Sequence, residues 1–145
     1  MANILFIDDD LTVLEAVHAL FESKGYRVMR APNGAKGIEI SRKYQIDAVV
    51  LGFTSTKDAN QVADVLAKEL PKLPVVIRSD FPDDIPESLK WFADALWQTG
   101  AAPEVLLCEV ENLIVDNREF NKVSDREFSY PSEVARGPEK PVLNR

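Results

Sequence analysis

The chain has 145 residues, 46% of them hydrophobic and 28% charged, and carries a formal charge of −7. That apolar share excludes wholesale disorder, and no apolar run approaches the roughly 20 residues that span a bilayer. A sequence pI near 4.8 argues against direct nucleic-acid binding, which wants a basic face.

The start, Met1-Ala2-Asn3, runs straight into Ile4-Leu5-Phe6-Ile7 without the basic stretch or cleavage site of a signal peptide. The single cysteine, Cys108, has no internal disulfide partner and fits a reducing compartment, so a cytoplasmic location is expected. The continuous apolar run Ile4 to Ile7 reads as a strand buried on both faces, ending in Asp8-Asp9-Asp10. Leu14, Val17, Leu20 and Phe21 line one side of a following helix that closes at Lys24-Gly25, with Asp10 placed to cap it. Tyr26 to Ala31 is a second strand, punctuated by Pro32-Asn33-Gly34. A weaker helix carries Ile38 inward and Arg42 and Lys43 outward.

Ala48 to Leu51 is a third strand. Beyond the polar loop Thr54-Ser55-Thr56-Lys57, Asp58 is placed to cap a helix lined by Val62, Val65, Leu66 and Leu70. Pro71 and Pro74 lead into a fourth strand, Val75-Val76-Ile77. Leu89 and Phe92 mark a short helix after Pro86, and Ala95-Leu96-Trp97 a fifth strand. Pro103 suits the first turn of a last helix, whose buried side is Leu106, Val110, Leu113 and Ile114. Five strands alternating with five helices predict an α/β fold, a parallel sheet covered on both faces.

Charge divides the chain further. Residues 1–114 hold 11 basic and 18 acidic side chains, 11 − 18 = −7, whereas residues 115–145 hold six of each and are neutral. Residues 1–114 are therefore expected to form the domain. Residues 115–145 form a tail that either extends the last helix from Arg118 or is irregular, with Pro131, Pro138 and Pro141 near its end. Such a tail is too short for a core of its own, so no separate effector domain is expected in this chain.

In an open α/β sheet, ligands bind beyond the carboxyl ends of the strands. The residues to inspect are therefore Asp8-Asp9-Asp10, Gly52-Phe53-Thr54, Arg78-Ser79-Asp80 and Gln98-Thr99-Gly100. Adjacent carboxylates in a crevice suit Mg²⁺, which takes one or two carboxylates and keeps several waters. The alternative for the three aspartates is a solvated acidic loop. Nothing marks Cys108 as reactive, His18 sits beside the apolar stripe of its helix, and Thr54-Ser55-Thr56 reads as a plain hydrophilic connection.

These stretches in order, Ile4 to Asp10, Gly25 to Ala31, Asn33-Gly34, Asp47 to Leu51 and Pro74 to Ser79, resemble the receiver domains of two-component response regulators. The resemblance covers roughly residues 3 to 114. It implies a flavodoxin-like, doubly wound five-stranded parallel sheet of order 2-1-3-4-5. The usual activity of that family is to accept a phosphoryl group from a histidine kinase onto an aspartate at the end of strand 3.

Carried over residue by residue, the resemblance puts the Mg²⁺-holding acidic pair on Asp8 and Asp9, with the backbone carbonyl of Thr54 as a further ligand. The hydroxyl that follows the phosphoryl group falls on Ser79. The phosphoacceptor position falls on Gly52, which has no side chain. The lysine at the end of strand 5 falls on Gln98, followed by Thr99 where the family usually has proline, and the aromatic switch position falls on Ala95. Phosphoryl transfer needs a nucleophilic carboxylate, a metal and a cation for developing charge. Glycine removes the first and glutamine the last.

The expectation is a pseudo-receiver: a non-enzymatic signalling domain that works by protein–protein interaction, without aspartyl phosphorylation. Its partners would be a histidine kinase, regulator or effector, or a second copy of the chain, with neither nucleic acid nor membrane involved. Trp91, Ala95 and Trp97 lie where the family's dimer and partner surface falls, although both tryptophans could instead pack internally. Two alternatives stay open. A cavity left by Gly52 beside the hydroxyl-rich loop could admit an anion or small molecule, or the chain could be the receiver fragment of a larger regulator.

Overall fold

The computed structural model describes residues 2–54 and 56–127, except for the side chains of residues 11–14, 56 and 118–127. Its elements are β1 (Asn3–Ile7), α1 (Leu11–Ser23), β2 (Arg27–Ala31), α2 (Gly34–Lys43), β3 (Ala48–Gly52), α3 (Thr56–Glu69), β4 (Val75–Ser79), α4 (Glu87–Phe92), β5 (Ala95–Gln98) and α5 (Pro103–Glu127), with a 3₁₀ turn at Pro82–Asp84. The strands form one sheet of order β2-β1-β3-β4-β5, and every neighbouring pair is parallel. This is the doubly wound, flavodoxin-like order that the resemblance implies.

The strand period of two sorts side chains into two cores. Ile4, Phe6, Ala48, Val50, Val76 and Trp97 pack with Val17 and Phe21 of α1 and with Leu106 and Val110 of α5. Leu5, Ile7, Val49, Leu51, Val75 and Ile77 pack with Ala59, Val62 and Leu66 of α3 and Leu89 of α4. Both faces being covered, β3 and β4 are buried throughout. That is why their sequences are continuous apolar runs rather than alternating ones.

Local signals set the helix ends. Gly25, at φ +94°, stops α1: the Lys24 and Tyr26 amides both donate to the Phe21 carbonyl at 3.1 Å, and the left-handed turn favours glycine. Asn33 caps α2, its side-chain oxygen accepting from the Lys36 amide at 2.9 Å. Gly37 brings α2 down onto β1, since a Cβ there would collide with the Ile7 side chain.

Three expectations change, and for residues up to 127 one open alternative is decided. Helix α3 begins at Thr56, so Asp58 lies in its first turn instead of capping it, where its charge still suits the helix dipole. Strand β4 continues through Arg78 and Ser79, both buried. Trp97 is not part of a surface: it is 5% exposed within the α1/α5 core, and Ala95 packs partly buried against the same core. Alternation along β5 puts these two residues on the face that α5 covers, leaving Leu96 between them at 39% exposure. Helix α5 continues to Glu127. The expectations for Leu14, Ser55 and Pro131, Pro138 and Pro141 lie outside the described residues.

Residues up to Ile114 form one compact unit and those from Val115 a second. The described part of the second is the continuation of α5 to Glu127. Among the described residues, no helix is long and apolar enough to cross a membrane.

Candidate functional site

The site lies where β1, β3 and β4 end side by side. Ile7 is level with Leu51, and Gly52 with Arg78, so Asp8, the residue after Ile7, comes opposite Gly52. Phe6, Val50 and Val76 face the α1/α5 core, and the residues two further along, Asp8, Gly52 and Arg78, continue the same face. Neighbouring strands are about 4.8 Å apart, which leaves β1 and β4 roughly 10 Å apart with β3 between them. Only a long side chain spans that gap, and only if nothing stands up from β3. Gly52 leaves the way clear.

Arg78 crosses it. Its Nε donates to Oδ2 of Asp8 at 2.5 Å and its Nη2 to Oδ1 at 3.0 Å. This is the two-pronged arrangement in which guanidinium and carboxylate planes match best. The two side chains are 5% and 2% exposed. Oδ1 of Asp8 also accepts from the Asp10 amide at 3.0 Å.

The remaining prong, Nη1, donates to Oγ1 of Thr99 at 2.6 Å and to Oδ1 of Asp80 at 3.1 Å. Arg78 thus ties together the segments that follow β1, β4 and β5. Burial is the largest single influence on its guanidinium and acts to lower its pKa. The hydrogen bonds and charge of Asp8, with the charges of Asp80 and Asp10, outweigh that and leave it raised.

The space above Gly52 is consequently full. A Cβ at position 52 would lie 2.7 Å from Oδ1 of Asp8 and closer still to its Cγ and Oδ2. The cavity expected beside Gly52 for an anion or small molecule is therefore occupied by the Asp8 carboxylate.

The other expected residues are dispersed around this row. Asp9 and Thr54 are exposed. Ser79 is 2% exposed and its hydroxyl accepts from the Phe81 amide at 3.1 Å. Gln98 is exposed, and its side-chain amide donates to the Asp80 carbonyl at 3.4 Å. His18 pairs with Glu22 one turn along α1, at 3.0 Å. Asp47 sits at the opposite end of β3, where its carboxylate accepts from the Asn3 amide at 2.7 Å. The sequence places Arg78 among the strand-end residues but assigns it no role. The signal was there, an arginine set directly after the run Val75-Val76-Ile77 with three aspartates at another strand end. Arginine is so rarely buried that it read as the end of the strand.

A divalent ion would draw on Asp8, Asp9 and the Thr54 carbonyl, but the donor set does not fit one in this arrangement. Both Asp8 oxygens face a cation already in place, and Asp9 is exposed. Among the described residues, no group of three or more His, Cys, Asp or Glu side chains is arranged to hold a metal.

No protein-family model matches the chain. It is 31% identical over 85 residues to Protein PilH of Pseudomonas aeruginosa, an alignment covering 53% of this chain and 66% of PilH. It is 30% identical over 77 residues to the transcriptional regulatory protein GlrR of Escherichia coli, covering 52% of this chain but 17% of that protein. A response-regulator receiver domain from Clostridium thermocellum has a TM-score of 0.73 at 23% identity, covering 83% of this chain and 99% of that one. TrrA of Thermotoga maritima, a response regulator solved in complex with Mg²⁺ and BeF, has a TM-score of 0.71 at 20% identity, covering 78% and 99%. At these identities the structural likeness is one of fold. Ordered motifs, strand order and the sequence relatives together place the chain among the receiver domains of two-component response regulators.

Proposed function

We propose that this chain is an atypical receiver domain that signals through protein–protein contacts and is not phosphorylated on aspartate. The observation that carries the reading is the end of β3, where Gly52 offers no nucleophile and the Asp8 carboxylate occupies the space a side chain would need. Phosphoryl transfer to a carboxylate needs that carboxylate in line with the donor, and a cation free to meet the developing charge. Here the nearest cation, Arg78, is already bound to Asp8, Asp80 and Thr99. Asp47 is no substitute, being roughly 16 Å back along its strand at about 3.3 Å per residue.

Receiver domains work with histidine kinases and effector domains, and the same classes of partner are proposed here, a second copy of the chain included. The docking face is the side built by α4, β5 and the start of α5. There Trp91 is 55% exposed, Val105 49% and Leu96 39%, and exposed large apolar side chains are the usual anchors of an interface. This assignment keeps Trp91 from the expected set and replaces Trp97 and Ala95, which pack in or against the core, with Leu96 and Val105.

The test is incubation of the chain with ³²P-labelled acetyl phosphate and Mg²⁺. No acid-stable or base-labile label is expected. Stoichiometric incorporation that disappears when Asp8 and Asp9 are both replaced by alanine would sink the reading.

A further inference from the structure

We infer that the Arg78 guanidinium has taken the place of the divalent cation, as a counter-ion built into the chain, so that the strand-end carboxylates are neutralised without metal. The inference deepens the proposed function and rests on it, but it is a separate statement. A domain without a phosphoacceptor could still hold Mg²⁺ between its carboxylates, and this one does not.

Three observations carry it. First, the carboxylate that would be the buried metal ligand is saturated. Asp8 accepts two charge-assisted bonds from Arg78 and one from the Asp10 amide, and Mg²⁺ needs direct oxygen ligands in near-octahedral geometry, with waters around it. Second, the guanidinium is satisfied: four of its five N–H groups are given to Asp8, Asp80 and Thr99. A metal at Asp8 would have to expel it, leaving a buried positive charge beside a doubly charged ion. Third, the geometry that permits the pair is specific to these residues. Arg78 reaches Asp8 by passing over Gly52, and any side chain at 52 would meet the Asp8 carboxylate.

An arginine stays where it is and carries one charge, whereas a bound metal can come and go with its concentration. The segments after β1, β4 and β5, joined through Arg78, are therefore held in one arrangement regardless of metal supply.

The experiment uses the full chain and two readouts, thermal unfolding with and without millimolar MgCl₂ and Mn²⁺ binding followed by the EPR signal of free Mn²⁺. Wild type is expected to show no Mg²⁺-dependent rise in Tm and no loss of the Mn²⁺ signal. Arg78→Met, which leaves the Asp8 carboxylate without its cation, is expected to be less stable in EDTA and to recover stability with MgCl₂. It should bind Mn²⁺ roughly tenfold or more tightly than wild type, about 1.4 kcal/mol. The double variant Asp8→Asn/Arg78→Met controls for folding: it should be stable without metal and indifferent to it.

Stoichiometric Mn²⁺ binding by wild type overturns the inference. So does a folded Arg78→Met that binds no metal, because something other than Arg78 would then be excluding it. If Arg78→Met does not fold, the wild-type Mn²⁺ titration decides alone. Wild type that binds Mn²⁺ yet takes no label from acetyl phosphate refutes this inference and leaves the proposed function standing. Label on Asp8 or Asp9 refutes the proposed function itself.

Discussion

At the ends of β1, β3 and β4, Asp8, Gly52 and Arg78 behave as one unit, because the pair exists only while the residue between them has no side chain. A buried pair of this kind is worth little against a well-packed apolar replacement. Removing one partner alone is severe, since the other is left charged and buried. Arg78→Met and Asp8→Asn are therefore each expected to lower stability by about 3–5 kcal/mol. The double variant should lose much less than the sum, and urea unfolding of the four proteins measures the coupling. The pair is not a pH switch on its basic side. The folded Arg78 guanidinium titrates above its unfolded value, so its contribution is fully present below the ordinary arginine range and lost only as pH rises beyond it. Asp8, Asp9 and Gly52 stood out in the sequence because a run of aspartates and a glycine at strand ends are visible as residue types. Arg78 did not, because what matters about it is whom it reaches.

Among the elements, β5 shows most directly how a strand assigns roles. Its four residues alternate, so Trp97 enters the α1/α5 core while Leu96 stays exposed. The sequence offers two tryptophans six positions apart, and only the position on the element separates a core residue from a surface one. Trp97→Ala is expected to destabilise the chain by about 3–5 kcal/mol, whereas Trp91→Ala should stay within about 0.5 kcal/mol of wild type. Trp97→Phe should fall between them. It keeps most of the apolar area and removes an indole N–H that is buried without a hydrogen-bond partner among the described residues. Chemical denaturation of the three variants checks the order, and Trp91→Ala should also weaken capture of any partner that uses the α4–β5 side. Helix and strand existence was legible throughout, since each element carries its own period and punctuation. The end of β4 was not, because Arg78 belongs to its strand through pairing with Gly52, distant in sequence.

For the whole molecule, the two cores lie on opposite faces of the same sheet, and every residue assigned to them is numbered 114 or below. The compact unit also closes at Ile114. We therefore propose residues 1–114 as the folding unit. A fragment with these bounds is expected to unfold in one cooperative transition, at a urea midpoint close to that of the full chain, by circular dichroism. A broad, non-cooperative transition would show that the residues beyond 114 are needed. The formal charge of −7 belongs to this unit as well, since the remaining residues are neutral. Part of that charge is the aspartate cluster, whose buried member, Asp8, the fold places against Arg78.

The sequence by itself determined the class of fold, the order of its elements and the absence of a side chain at position 52, because periodicity, turn residues and side-chain identity are local properties. Only the tertiary structure decided what fills the space above that glycine. The register of three parallel strands brings Asp8 and Arg78, 70 residues apart in the chain, to either side of a glycine. An ion pair that spans a whole strand leaves no mark in the spacing of either residue.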